Sequence, residues 1–112
     1  MKVRSIIVSA ICLTAAACAE RPESESSRIM DEIESRIEMP EGAQPIGQYT
    51  RSYFERGSVI EAIYVDSDLA APKGRYWNPE NAVSMEDGGC SQVKVTYDPA
   101  TEKVTAYCNG QG

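Results

Sequence analysis

Histidine is absent from this 112-residue chain, which removes the commonest general base and the commonest transition-metal ligand. Any chemistry falls to carboxylates, cysteines and aromatic groups. No Gly-x-Ser-x-Gly elbow, phosphate-binding loop or dinucleotide fingerprint occurs in the sequence. A pair of carboxylates can in principle hydrolyse a glycoside, and Glu61 is the one to single out because it interrupts the most apolar run. A carboxylate there is either buried beside an arginine such as Arg51 or faces solvent through a gap, and a structural role is favoured over catalysis. Asp66, Asp68 and Asp87 (the last before two glycines) suggest a calcium loop, but the regular ligand spacing and closing glutamate are missing. The aromatic groups are the better lead. Tyr76 and Trp77 are flanked by Lys73 and Arg75, and exposed aromatics with cationic neighbours are the material of binding hot spots. They would grip a protein surface or stack on a sugar. The alternative for Trp77 is to plug the open end of a small core.

The compartment is legible at the N-terminus. Lys2 and Arg4 precede an apolar run, Ile6 to Ala17, and Ala15-Ala16-Ala17-Cys18 then leads into an acidic, serine-rich tract from Glu20. This is the grammar of an export signal, and the run falls short of the ~20 residues that a membrane-spanning helix needs. The segment Leu13-Thr14-Ala15-Ala16-Ala17-Cys18 resembles the lipobox of bacterial lipoproteins, with small residues at the two positions before the cysteine. It departs at Ala15, where leucine is usual. The resemblance implies cleavage before Cys18, attachment of lipid such as palmitate to that cysteine, and a membrane anchor. Ala19, in place of the aspartate that retains such proteins at the inner membrane, points to the outer membrane with the domain facing the periplasm. The alternative is an ordinary peptidase cut after Ala17 or Ala19, leaving a soluble periplasmic or secreted protein.

Cleavage there divides the chain into a signal peptide, 1–17, a flexible tether, 18–27, and a single small domain, 28–112. The loss of Lys2 and Arg4 takes the net charge from -6 to about -8. Nucleic acid and anionic membrane surfaces are poor partners for such a chain, since both require a basic footprint. Cys12 leaves with the signal, so the domain keeps Cys90 and Cys108. An even pair in an exported chain reads as a disulfide. A metal or redox site would require further ligands or a CxxC, and the sequence has neither; no cofactor is expected.

Positioning these groups falls to a few elements. Glu20 to Ser27 lacks apolar periodicity and reads as tether. From Arg28, Ile29, Ile33 and Ile37 recur every fourth residue with Met30 beside them, predicting an amphipathic helix capped by Ser26 or Ser27, braced by Glu32 and Arg36, and ended by Pro40. Gln48–Arg56 and Ser58–Val65 read as a hairpin that breaks at Arg56-Gly57, the second strand apolar enough to be central. Ser91–Tyr97 alternates cleanly, Asp98-Pro99-Ala100-Thr101 is turn chemistry, and Lys103–Cys108 returns. Matching apolar faces sets Val95 against Val104 or Ala106 and turns Cys108 to the core. Cys90 then falls just before the strand, in the Asp87-Gly88-Gly89 loop, which the disulfide pins to the last strand. The 24 residues from Asp66 to Gly89 are long for a structureless connection, and Arg75-Tyr76-Trp77 and Ala82-Val83-Ser84-Met85 are its candidate short strands.

The expected fold is α+β: one N-terminal amphipathic helix on an antiparallel sheet of about four strands in two hairpins, with one disulfide. Its core comprises Ile29, Ile33, Ile37, Val59 or Ile60, Ile63, Val65, Val93, Val95, Val104 and Ala106. The Asp-Gly-Gly-Cys to Cys-Asn-Gly hairpin resembles that of small uncharacterised envelope proteins, a likeness that covers about a quarter of the chain and implies no activity. The functional expectation is a non-catalytic cell-envelope lipoprotein that binds a protein partner or cell-wall component through Lys73, Arg75, Tyr76 and Trp77. Alternatives are a periplasmic inhibitor of a hydrolase and a minor carboxylate-dependent hydrolase.

Overall fold

The computed structural model describes residues 22–69, 72–80, 82 and 88–109. Along the chain run helix α1 (Glu23–Arg36), a 3-10 turn (Ile46–Gln48), and strands β1 (Tyr49–Arg56), β2 (Val59–Asp66), β3 (Gly74–Trp77), β4 (Gly89–Asp98) and β5 (Lys103–Asn109). The strands form one five-stranded sheet in the order β3-β1-β2-β4-β5. Two compact units divide the chain, Met1–Asp31 and Glu32–Gly112. The described part of the first is the opening of α1; the second holds the last turn of α1 and the whole sheet.

The helix begins earlier than apolar periodicity predicts. Glu23 to Ser27, expected as tether, is helical. Glu23 and Glu25 lie in the first turn, where negative charge meets the positive end of the helix dipole. The Pro22 carbonyl accepts from the N–H groups of Glu25 and Ser26. Ser26 is not the cap; its hydroxyl donates to the Glu23 carbonyl at 2.9 Å, inside the helix. Polar helix starts of this kind carry no apolar stripe, so periodicity does not see them. At the other end the Glu32–Arg36 pair forms, at 3.3 Å.

The α+β class and the Cys90–Cys108 disulfide are as expected, but the sheet differs. Among the described residues it has five strands where about four were expected, and it is mixed: β1 pairs β2, β2 pairs β4 and β4 pairs β5 antiparallel, while β3 runs parallel to β1. The fifth strand is the short Arg75-Tyr76-Trp77 candidate. After β2 the chain passes the start of β1, where the Ser67 N–H donates to the Gln48 carbonyl and the Thr50 hydroxyl to the Pro72 carbonyl. That turn delivers β3 to the far edge of β1, a non-local pairing that no local pattern announces. Of the second candidate strand, Ala82 is described and is not in a strand; Val83, Ser84 and Met85 lie outside the described residues.

Register sorts the side chains by face, because neighbours along a strand alternate. Tyr49, Arg51 and Tyr53 share a face with Ile60, Ala62 and Tyr64, with Val93, Val95 and Tyr97, and with Val104, Ala106 and Cys108. The predicted Ile33, Ile60, Val65, Val93 and Val95 are buried. Ile29, Ile37, Val59, Ile63, Val104 and Ala106 are only half-buried. Tyr49, Tyr53, Tyr64 and Tyr97 take the places expected for aliphatic residues, each buried.

The hairpin of β4 and β5 has the predicted face. Val95 opposes Ala106, and Cys108 is buried. Cys90, however, lies inside β4 rather than ahead of it. The register slips between Gly89, which opposes Asn109, and Val93, which opposes Cys108. That irregularity brings Cys90 to a Cα–Cα distance of 4.5 Å from Cys108. A disulfide can join them because the bulged segment no longer follows the strict alternation that separated their faces.

Candidate functional site

The polar centre of the molecule is built around Glu34, in the last turn of α1. Its side chain is 15% exposed, and one carboxylate oxygen accepts from Arg51 Nη1 at 2.8 Å and from Arg75 Nη1 at 3.4 Å. The other accepts the Tyr53 hydroxyl at 2.5 Å, and the Tyr53 and Tyr64 hydroxyls lie 2.6 Å apart. Since Tyr53 donates to the carboxylate, Tyr64 donates to Tyr53. Three strands supply this cluster. Arg51 stands opposite Tyr64 and Arg75, and Tyr53 follows two residues after Arg51 on the same face. The Tyr64 ring meets both Tyr53 and Tyr49, with centroids 5.9 and 6.1 Å apart.

Burial pushes the Tyr53 hydroxyl far above the ordinary phenol range, reinforced by Tyr64 and by the Glu34 carboxylate. Burial likewise raises Tyr64, against a lowering by the bond to Tyr53. Tyr97 is raised by desolvation and by its 2.8 Å bond to Glu32. These hydroxyls are therefore neutral donors at ordinary pH. Glu34 has its charge matched by arginine and both oxygens occupied. A general acid or base requires an oxygen turned to a substrate, and both Glu34 oxygens are turned to partners within the domain. The network ties the end of α1 to β1, β2 and β3.

Two of the other singled-out acids, Glu61 and Asp66, have structural partners. Glu61 is not paired with Arg51. Its side chain is 45% exposed and meets Arg56 at 3.3 Å, the solvent-facing alternative. Asp66 Oδ1 accepts from Gln48 Nε2 and from the Asp68 N–H, both at 3.0 Å. These bonds hold its carboxyl below the usual range, Gln48 contributing most. The pair braces the turn that leads to β3. Asp87 lies outside the described residues. Among the described residues no group of three His, Cys, Asp or Glu could hold a metal ion.

The expected binding set is divided by the strand it belongs to. Arg75 and Trp77 share a face with Arg51 and Tyr53, whereas Tyr76 shares the opposite face with Gly74. Arg75 is engaged by Glu34, and Trp77 is half-buried. Lys73 is exposed; Tyr76 is 39% exposed, its hydroxyl donating to the Pro72 carbonyl at 3.3 Å. Adjacent residues of a strand cannot form one flat aromatic platform, so Tyr76 and Lys73 remain as the outward part of this set. Sequence reasoning missed Glu34, which looked like any solvent-facing helix residue. It also missed Tyr107, 55% exposed on β5, although the alternation of Lys103, Thr105 and Tyr107 on one face was there to be read. Cys18 lies outside the described residues. Among the described residues no helix is long and apolar enough to cross a membrane.

No family model matches the chain, and neither a curated protein nor a solved structure matches it.

Proposed function

We propose that this protein is a non-catalytic cell-envelope lipoprotein, anchored through lipid on Cys18, whose domain binds an envelope protein or a cell-wall component. The reading rests first on the export signal and the lipobox-like Leu13–Cys18 segment. The observation that carries binding over catalysis is the closed network around Glu34, in which the best-placed carboxylate, two arginines and two tyrosines satisfy one another. A frame of this kind holds a surface in shape. Tyr76 on β3 and Lys73 just before it are exposed, and an outward aromatic ring and a cation in one short segment are suited to a partner.

Two measurements test the reading. Labelled palmitate should appear in the native protein and vanish in Cys18→Ser, with the protein moving from the membrane to the soluble fraction. Binding to purified cell-wall sacculi and to envelope proteins should fall at least tenfold in Tyr76→Ala combined with Lys73→Ala. An unlabelled soluble protein overturns the anchor. Undiminished binding by the double variant overturns the surface.

A further inference from the structure

The sheet ends in two unequal edges. On one side is β3, four residues long; on the other is β5, Lys103–Asn109. Among the described residues no strand pairs with the outer side of β5. Exposed edges usually carry protection, such as proline, a bulge or repeated charge, because their unpaired backbone groups invite another strand. β5 has none of these beyond one end. Its sequence is Lys-Val-Thr-Ala-Tyr-Cys-Asn, with Lys103 the single charge, and its pairing with β4 is regular from Cys108 to Lys103. Lys103, Thr105 and Tyr107 are exposed on one face; Val104 and Ala106 are half-buried on the other.

We infer that the outer edge of β5 pairs antiparallel with β5 of a second copy of this chain, about a two-fold axis through Thr105. The occupant follows from the strand's own complementarity. In that register each Lys103 ammonium stands opposite Tyr107 of the second copy, placing a cation against an aromatic face. Thr105 opposes Thr105, a favourable cross-strand hydroxyl pair, and Val104 opposes Ala106 on the other face. Every cross-pair is compatible and no like charges oppose, as an isologous interface requires. A parallel arrangement would instead set Lys103 against Lys103. Shifting the axis to Ala106 would set Lys103 against Asn109 and lose both cation–aromatic pairs. The result is a continuous ten-strand sheet with a small interface, in the size range of weak associations that confinement to a membrane surface would favour. This inference is independent of the binding role given to Tyr76 and Lys73.

The test uses the full-length chain in its own cells, with the photo-reactive residue p-benzoylphenylalanine in place of Tyr107. Irradiation should yield an adduct of twice the chain mass, containing two differently tagged copies. Thr105→Lys alone and Thr105→Glu alone each set like charges together on the axis and should abolish it. Co-expressing the two variants should restore it between unlike copies. Thr105 is exposed, so each variant retains the fold, and the mixed pair distinguishes repulsion from misfolding. Failure to form the self-adduct, adducts only to other proteins, or a self-adduct indifferent to charge at Thr105 each overturns the inference.

Discussion

Replacing Glu34 with alanine should destabilise this domain far more than removing any other acidic side chain that the structure places. The carboxylate is 15% exposed and its closest partner, the Arg51 side chain, 14%. Breaking a fully buried ion pair costs about 3–5 kcal/mol, because the surviving charge is left without compensation. Here residual solvent access lowers the figure, while two further groups lose their acceptor. The Tyr53 hydroxyl loses the oxygen it donates to, and Arg75 loses its bond at 3.4 Å. A net loss of about 2–4 kcal/mol follows. In a domain this small that lowers the melting temperature by roughly 8–32 °C, at about 4–8 °C per kcal/mol. Glu34→Gln keeps an acceptor for Tyr53 but gives up the charge, so it should cost about half as much. The control is Glu102→Ala, which removes an exposed partner of Arg36 at 3.4 Å and should cost less than about 0.5 kcal/mol. Denaturant unfolding followed by circular dichroism, with the disulfide intact in every variant, measures all three. If Glu34→Ala and Glu102→Ala differ by less than about 1 kcal/mol, the network is not what holds the end of α1 to the sheet, and the scaffold argument fails with it.

Replacing Cys90 and Cys108 together by alanine should cost about 3 kcal/mol, since their sequence separation is 18 and closing a loop of that size restrains the unfolded chain by this amount; a loss under about 1 kcal/mol would contradict the account. Tyr53, Tyr64 and Tyr97 have folded pKa values raised above the unfolded one, so their contribution is complete below about pH 10 and is lost as pH rises beyond it. Absorbance titration at alkaline pH should therefore show Tyr53, Tyr64 and Tyr97 ionising only above the ordinary phenol range, together with unfolding. Glu61→Gln should change stability by less than about 0.5 kcal/mol, because its pair with Arg56 is half-exposed; a larger loss by thermal unfolding would show the carboxylate to be more than a surface partner.

Elements with a local signature were legible. The β4–β5 turn follows from Asp98, whose carboxylate accepts the Ala100 N–H at 3.0 Å and whose carbonyl accepts the Glu102 N–H at 2.7 Å. The first hairpin turns at Gly57, whose φ of 62° suits a residue without a side chain. Burial was less legible where a tyrosine did the work. A phenol can enter a core when its hydroxyl finds an acceptor, and those acceptors lie far away in the chain: Glu34 for Tyr53, Glu32 for Tyr97 and the Cys90 carbonyl for Tyr49 at 2.7 Å. The irregular start of β4 was equally hidden, since a register slip changes which face a cysteine joins without altering the alternation of residues after it.

Sequence alone determined the α+β class, the two hairpins and the pairing of Cys90 with Cys108. Each of these follows from periodicity, turn chemistry or cysteine arithmetic acting over short range. Only the tertiary structure decided that β3 lies parallel to β1 and that Glu34 is a hub rather than a surface charge. Those outcomes depend on which distant strand lies alongside and on what a buried polar atom can reach. Such pairings are set by the free energy of the whole folded arrangement, and no window of neighbouring residues contains it.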